Sequence, residues 1–331
     1  MKIAINGFGR IGRCVMRGLI ENSKYDNIDL AVVNSTSSIA DSIHLLKYDS
    51  IFGRTNAEIE IKSETEVKIG KRNIKFISEK DPNKIDWKGI DVIMECTGKF
   101  LTRDKIQLHL DSGAKQIMLS APAKDKDIPM IVYGINHQNL SKKMDVFSIG
   151  SCTTNCLAPI AKVLDEKFGI ASGFMTTVHS YTGDQNLVDG SHKDLRRARS
   201  AAMSMVPTST GAAKSISLVL PNLEGKLDGA AIRVPTANVS VVDLVVNIEK
   251  NATIEDINNA FIEASNSNLK GILGIESAPL VSTDFTQCWN SSTVDLLETK
   301  VIGKNCVRVL SWYDNEWAFS MRMLDLALLL V

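Results

Sequence analysis

The sequence predicts an α/β chain in which an alternating strand–helix domain occupies residues 1–150 and a second domain, with longer strands suited to a mixed or antiparallel sheet, follows it. Three observations lead there. A glycine cluster separates a short apolar strand from an amphipathic helix at the N-terminus, the apolar runs of the first half are short and spaced by helical or polar stretches, and after Ser151 those runs lengthen.

Taken in order, Lys2–Asn6 places Ile3 and Ile5 on one face, and Gly7, Gly9 and Gly12 follow as a tight turn into a helix. That helix is expected from Arg10 to Ile20, because Ile11, Val15 and Leu19 recur every four residues with Cys14 beside them. Asp29–Asn34 contains the continuous apolar run Leu30–Val33, which suits a parallel strand covered on both faces and completes a βαβ unit. Further strands are expected at Asp91–Met94, Gln116–Leu119 and Met130–Tyr133. In the second half a helix is expected at Thr154–Lys167, with strands at Gly173–Val178, Gly229–Arg233, Val239–Ile248 and Cys306–Trp312. Between them, Tyr181–Met203 is polar, Arg-rich and aperiodic, a length of loop that usually serves function. Asn315–Val331 carries Met323, Leu326 and Leu330 at helical spacing and reads as a docked terminal helix.

Composition narrows the function. With 44% apolar residues among 331, a core can form in each domain, which excludes disordered and collagen-like chains. Lys+Arg and Asp+Glu both number 38, and the zero net charge argues against electrostatic attachment to nucleic acid or anionic lipid. The N-terminus opens directly into MKIAINGFGRIGR without a signal-type apolar region, and no stretch approaches a membrane span, so a soluble, cytoplasmic protein is expected. Cysteines at 14, 96, 152, 156, 288 and 306 are too sparse for a disulfide scaffold and lack zinc-site spacing; no metal is expected.

Four groups of residues carry candidate chemistry. Gly7-x-Gly9-x-x-Gly12 between strand and helix, with Asn34 ending the next strand, has the context of a dinucleotide fingerprint: glycines admit the pyrophosphate and the helix N-terminus offers unpaired N–H groups. An ordinary strand-to-helix turn is the plain alternative. Where NAD-selective folds end that strand in a carboxylate, this chain has Asn34 followed by Ser35, Thr36, Ser37 and Ser38, which removes repulsion toward a 2′-phosphate, unless Asn34 only caps the next helix. Cys152 stands at a predicted helix start, where dipole and amides favour thiolate, and His179, after an apolar strand, is the candidate base. A surface-loop role for His179 stays open, and Cys156, one turn from Cys152, is either a redox partner or a buried helix residue. Thr182, Arg196, Arg197, Arg199, Ser209, Thr210, Gly211 and Arg233 are candidate phosphate ligands, though hydroxyls before a helix are also ordinary caps.

INGFGRIGR at 5–13, GSCTTNC at 150–156, HSYTGDQ at 179–185, DLRRAR at 194–199, PTSTGAAK at 207–214, RVPTANVSVVDL at 233–244 and WYDNEW at 312–317 closely resemble phosphorylating glyceraldehyde-3-phosphate dehydrogenase, in order and essentially end to end. The resemblance implies a Rossmann dinucleotide-binding domain (1–150), an α+β catalytic domain with a mixed sheet (151–314), a C-terminal helix (315–331) docking on the first domain, and a homotetramer. It implies oxidation of D-glyceraldehyde 3-phosphate to 1,3-bisphosphoglycerate, or the reverse, in glycolysis or gluconeogenesis, with Cys152 as nucleophile and His179 as base. Thr182, Asp184 and Arg233 match the site for the substrate's phosphate. Ser151, Thr153, Thr210 and Gly211 match the site for inorganic phosphate, with Arg197 near both. Gly7, Phe8, Gly9, Arg10, Ile11, Gly12, Lys80, Thr97 and Ser120 match the cofactor cleft, and Asn315 the residue that orients the nicotinamide carboxamide.

Four departures from that pattern matter: Asn34 for Asp, Ser35 for Leu, Gly190-Ser191 for Leu-Pro, and Ala318-Phe319-Ser320-Met321 for Gly-Tyr-Ser-Asn. Gly190-Ser191 resembles the small-plus-Ser pair of NADP-using chloroplast and cyanobacterial forms and the first three departures point toward NADP, so the expected cofactor is NADP, NAD or both, with Asn34, Ser35 and Ser191 choosing. Erythrose-4-phosphate dehydrogenase is the near alternative, disfavoured because HSYT and PTSTG are both kept. A Cys–His thiol hydrolase on a merely structural Rossmann unit is the alternative from another class; no feature supports a scaffold role.

Overall fold

Two units, each built on its own sheet, make up the chain in the computed structural model, which describes residues 1–331: Met1–Ser151 with Ser320–Val331, and Cys152–Phe319.

In the first unit β1 (Lys2–Asn6) leads into α1 (Arg10–Glu21), and β2 (Asp29–Asn34) returns parallel to β1 with Asn6 opposite Asn34 at the C-terminal ends. Next come α2 (Ile39–Lys47), the short ribbon β3 (Tyr48–Asp49) and β4 (Gly53–Arg54), then the meander β5 (Ile59–Ile61), β6 (Glu66–Ile69) and β7 (Arg72–Ile77). β8 (Val92–Glu95), α3 (Arg103–Asp111), β9 (Ile117–Leu119) and β10 (Val146–Ser148) follow. The sheet order is β10-β9-β8-β1-β2-β7-β6-β5, parallel from β10 to β7. Chain direction across the sheet reverses at β1, so Asn6, Asn34 and Glu95 end side by side at the switch point where doubly wound sheets bind ligands. Trp87, Ile93, Ile106 and Ile117 form part of a core on one side of this sheet.

Two glycines are dictated by geometry. Gly7 has φ +98°, and a Cβ there would meet the Thr97 amide nitrogen at 2.8 Å; a Cβ on Gly12 would lie 2.2 Å from the Gly7 carbonyl oxygen. The C-terminal segment of this unit begins at Ser320, later than the 315 expected from sequence. It is held by Asp325, whose carboxylate accepts from Tyr25 Oη at 2.9 Å and from Lys24 Nζ at 2.5 Å.

One expected strand does not form. Met130–Tyr133 makes only a bridge from Met130 to Ser148, because the Asn136 side chain takes the place of a neighbouring strand. Its Oδ1 accepts from Val132 N at 2.7 Å and its Nδ2 donates to Met130 O at 2.9 Å.

The second unit opens with α4 (Cys152–Phe168), which starts two residues before the expected helix, followed by β11 (Ile170–Ser180), β12 (Val206–Ser209) and the single turn α5 (Ala212–Ser215). β13 (Leu227–Val234), β14 (Ser240–Ile248), α6 (Ile254–Asn266), β15 (Leu273–Glu276), β16 (Ser292–Ile302), β17 (Cys306–Tyr313) and α7 (Trp317–Leu328), which runs on past Phe319, complete the chain. The order β12-β13-β11-β14-β17-β16-β15 mixes parallel and antiparallel pairs, so of the two sheet types the long strands suit, mixed and antiparallel, it is the mixed one. α4 packs on this sheet with Leu157, Ile160 and Leu164 buried. No helix is long and apolar enough to cross a membrane.

Candidate active site

In the second unit the reactive groups meet because the ends of four neighbouring strands converge on the start of α4. β11 and β13 pair in parallel with His179 opposite Arg233, and β14 and β17 pair with Ser240 opposite Tyr313. Cys152 is the first residue of α4. Its Sγ lies 3.5 Å from His179 Nε2. The His179 ring is 4% exposed, and its Nδ1 stands 2.7 Å from the Ser180 carbonyl oxygen. Arg233 Nη1 lies 3.0 Å from the same Nδ1; of the two tautomers, the one with its proton on Nδ1, donating to that carbonyl, leaves the Nε2 lone pair facing the thiol, as a general base requires.

Arg233 completes this cluster. Its Nη1 donates to Ser180 O at 3.0 Å, lies 3.4 Å from Thr182 Oγ1 and 3.0 Å from His179 Nδ1, while its buried Nε has no protein partner. An unsatisfied guanidinium donor is chemically suited to an anion. Burial, helped by the Arg233 charge, holds the His179 imidazole down to about 3. Burial raises the Cys152 thiol, with Arg233 and the Thr153 hydroxyl and amide opposing. This differs from the expectation of a thiol lowered by its helix N-terminus: desolvation outweighs the nearby donors.

Other expected residues take more specific places. Thr153 is buried and its hydroxyl lies 2.8 Å from Tyr313 Oη, which also lies 2.9 Å from Thr177 Oγ1. Asp184 is ion-paired to Arg197, whose Nε donates to Thr208 Oγ1 at 3.1 Å. A carboxylate cannot accept from a phosphate dianion, so the expected phosphate ligand Asp184 is instead the group that holds Arg197. Thr210 Oγ1 accepts from Ala212 N at 3.2 Å, and Gly211 has open space where a side chain would be. Ser180 and Ser240 hydroxyls both donate to Asn315 Oδ1 at 3.0 Å. Cys156 is fully buried, its Sγ 3.6 Å from Ser292 Oγ and from Ser311 O, and its thiol is pushed up to about 12 by burial. Ser191 lies exposed on the loop that Asp189 pins through Arg199 Nε and Ser200 N, both at 2.9 Å. Tyr313, Ser180 and Ser240 carry no role in the sequence reading; the inward alternation Val307, Val309, Ser311, Tyr313 was the signal available for the tyrosine.

The first unit holds a cleft of about 490 Å³ at its sheet switch point. Gly7, Phe8 and Gly9 form one wall, Asn34 to Ser37 a second, Glu79 and Lys80 a third, and Thr97 with Phe100 a fourth. α1 starts at Arg10 with no side-chain cap and no acidic residue in its first turn, so Arg10, Ile11 and Gly12 present backbone amides there. A Cβ on Gly9 would project into open space, so glycine keeps the approach clear for a phosphate. Ser120 closes the end of β9, its amide donating to Glu95 O at 3.0 Å.

Two cofactor-site expectations change. Asn34 is buried, its Nδ2 donating to Asn6 Oδ1 and to Glu79 O, both at 2.8 Å, and its Oδ1 accepting from Glu79 N at 2.9 Å. Ser35 turns inward, with Oγ 3.2 Å from Ser42 Oγ, so the exposed hydroxyls facing the cleft are those of Thr36 and Ser37.

A dinucleotide-type α/β unit and a unit presenting a thiol, an imidazole and an anion-seeking arginine define a dinucleotide-linked enzyme of the covalent-thiol class. Residues 1–103 match the family model described as glyceraldehyde 3-phosphate dehydrogenase, NAD binding domain, and residues 151–315 match its C-terminal domain. The chain is 51% identical over 329 residues to glyceraldehyde-3-phosphate dehydrogenase 1 of Bacillus cereus, covering 98% of this chain and 97% of the relative. It is 51% identical to glyceraldehyde-3-phosphate dehydrogenase of Xanthobacter flavus (99% and 97% covered) and 49% identical to the chloroplastic A form of Chlamydomonas reinhardtii (99% and 88%). The chain belongs to the glyceraldehyde-3-phosphate dehydrogenase family.

Proposed function

We propose that this chain oxidises D-glyceraldehyde 3-phosphate to 1,3-bisphosphoglycerate, and runs the reverse reaction, through a thioester on Cys152. The observation that carries this reading is the 3.5 Å approach of Cys152 Sγ to His179 Nε2 beside the unpartnered Nε of Arg233. The thiol passes its proton to Nε2 as sulfur adds to the aldehyde carbon, and the proton moves on to the new alkoxide, giving a hemithioacetal. His179 then takes the hydroxyl proton as the C–H bond yields its hydride. Bound nicotinamide supplies the hydride acceptor. Inorganic phosphate adds to the resulting thioester, the C–S bond breaks, and Cys152 leaves as thiolate to be reprotonated.

The remaining residues serve binding. Arg233 and Thr182 hold the substrate's phosphate; Ser151, Thr153, Thr210 and Gly211 receive inorganic phosphate, and Arg197, steadied by Asp184, serves both. The first turn of α1, with Gly7, Gly9 and Thr97, holds the dinucleotide, and Asn315 orients the carboxamide through Nδ2. NADP is used at least as well as NAD: the neutral Asn34 imposes no repulsion, and Thr36, Ser37 and Lys80 offer donors to a 2′-phosphate. The working form is a cytoplasmic homotetramer in which Ser191 reaches a neighbouring subunit's cofactor. The test is initial-rate kinetics with glyceraldehyde 3-phosphate and phosphate, NAD and NADP side by side. No phosphate-dependent reduction of either nucleotide would overturn the activity, and a specificity constant for NAD tenfold or more above that for NADP would overturn the cofactor reading.

A further inference from the structure

Beneath the nucleotide cleft, a buried relay of side chains joins Glu95 to the Glu79 backbone. Glu95, at the end of β8, is 1% exposed; its Oε2 accepts from Asn6 Nδ2, and its Oε1 accepts from Thr97 N at 2.7 Å and from the Thr97 hydroxyl. Asn6 Oδ1 accepts from Asn34 Nδ2 at 2.8 Å, and Asn34 brackets both the N–H and the C=O of Glu79. Behind Glu95 lies His109, whose Nδ1 accepts from Trp87 Nε1 at 3.1 Å, so its proton sits on Nε2, 3.6 Å from Glu95 Oε2.

Both ends of the relay are unambiguous. The Glu79 N–H can only donate and its C=O can only accept, which fixes Asn34; an ionised Glu95 can only accept, which fixes Asn6. The two directions agree. Resting on the dinucleotide reading of this cleft, we infer that Glu95 is a positioning residue for the nucleotide: its carboxylate sets the donor direction of the Asn6–Asn34 relay that clamps the Glu79–Lys80 wall of the cleft. The relay also accounts for an amide at position 34, since a carboxylate there could donate neither to Asn6 nor to Glu79.

The chemistry supplies a sharp test. In Glu95→Gln every orientation fails at one point. If the new amide nitrogen faces Thr97 it meets an N–H donor, and if it faces Asn6 that side chain must turn and meet Asn34 Nδ2, which Glu79 holds in place. Asn6→Asp sets two carboxylates against each other. The double variant Asn6→Asp with Glu95→Gln restores every pair. In it the amide nitrogen at position 95 donates to the carboxylate at position 6, that carboxylate also accepts from Asn34, and the amide oxygen at position 95 accepts from Thr97.

Dissociation constants for NAD and NADP are measured by fluorescence titration of the full chain at about pH 8.5, above the range where Glu95 titrates. Each single variant is expected to weaken nucleotide binding about 10- to 100-fold, the double variant to return to within about fivefold of wild type. In turnover, the KM for nucleotide rises while kcat and the KM for glyceraldehyde 3-phosphate change little. Wild-type affinity in Glu95→Gln, or a double variant as weak as the product of the singles, overturns the inference; if Glu95→Gln does not fold, a double variant that binds nucleotide no tighter than Asn6→Asp overturns it. Failure of the wild-type protein to bind either nucleotide would instead overturn the reading of the cleft.

Discussion

Replacing Arg233 by lysine keeps the charge and removes the fork of donors. In the structure Nη1 is committed to Ser180 O at 3.0 Å, with Thr182 Oγ1 at 3.4 Å, and the buried Nε has no hydrogen-bond partner. An ammonium is one compact charge and cannot serve the carbonyl and an anion on the Nε side together. One charge-assisted hydrogen bond is worth about 1.5–3 kcal/mol, which predicts a loss of roughly 10- to 150-fold in kcat/KM for glyceraldehyde 3-phosphate. The assay compares that substrate with unphosphorylated glyceraldehyde by the absorbance of reduced nicotinamide, with melting curves to verify folding. If Arg233 recognises the phosphate, the ratio of the two specificity constants falls by that factor. Equal losses on both aldehydes would refute the argument, because Arg233 would then act through His179 Nδ1, which it approaches at 3.0 Å.

Cys152→Ser should abolish turnover while nucleotide still binds, since serine's hydroxyl is too weakly acidic for the His179 pair to ionise; a tenth of wild-type activity would sink the assignment. His179→Asn should lose about 10²–10⁴-fold in turnover. Because the buried imidazole is held down to about 3 from 6.5, its neutral form contributes stability that is complete above 6.5 and lost as pH falls toward 3. His179→Asn should therefore flatten the acid side of a melting-temperature profile, and an unchanged slope would contradict the burial argument. Asn34→Asp with Ser191→Pro removes the position 34 donor to Asn6 and Glu79 and should weaken both nucleotides, NADP more than NAD because the new carboxylate repels a 2′-phosphate; an unchanged ratio of NADP to NAD specificity constants would refute it. Gly12→Ala, whose Cβ would fall 2.2 Å from the Gly7 carbonyl, should destabilise the first unit by about 1–3 kcal/mol and weaken nucleotide binding, measured by denaturation and titration.

The sequence by itself determined what neighbours along the chain encode. The glycine spacing Gly7-x-Gly9-x-x-Gly12, the apolar run Leu30–Val33 and the longer later strands specify a strand–turn–helix start and a change from a parallel sheet to one with antiparallel pairs, and both appear. Cys152 at a helix start and His179 at a strand end were legible because each sits beside its own local signal. Tertiary structure alone decided their company. The register that sets Arg233 opposite His179 across 54 residues depends on two strands choosing each other, and no local pattern states that choice. The same holds for Asn6, Asn34 and Glu95, which meet only because three parallel strands end at one level. Burial is likewise a property of the packed fold. It turned Ser35 toward Ser42, raised the Cys152 thiol against its helix N-terminus, and made Asn136 stand in for a strand that the apolar run Met130–Tyr133 alone would suggest. Local sequence sets which conformations a segment favours, whereas desolvation and partner choice are summed over segments that meet only on folding.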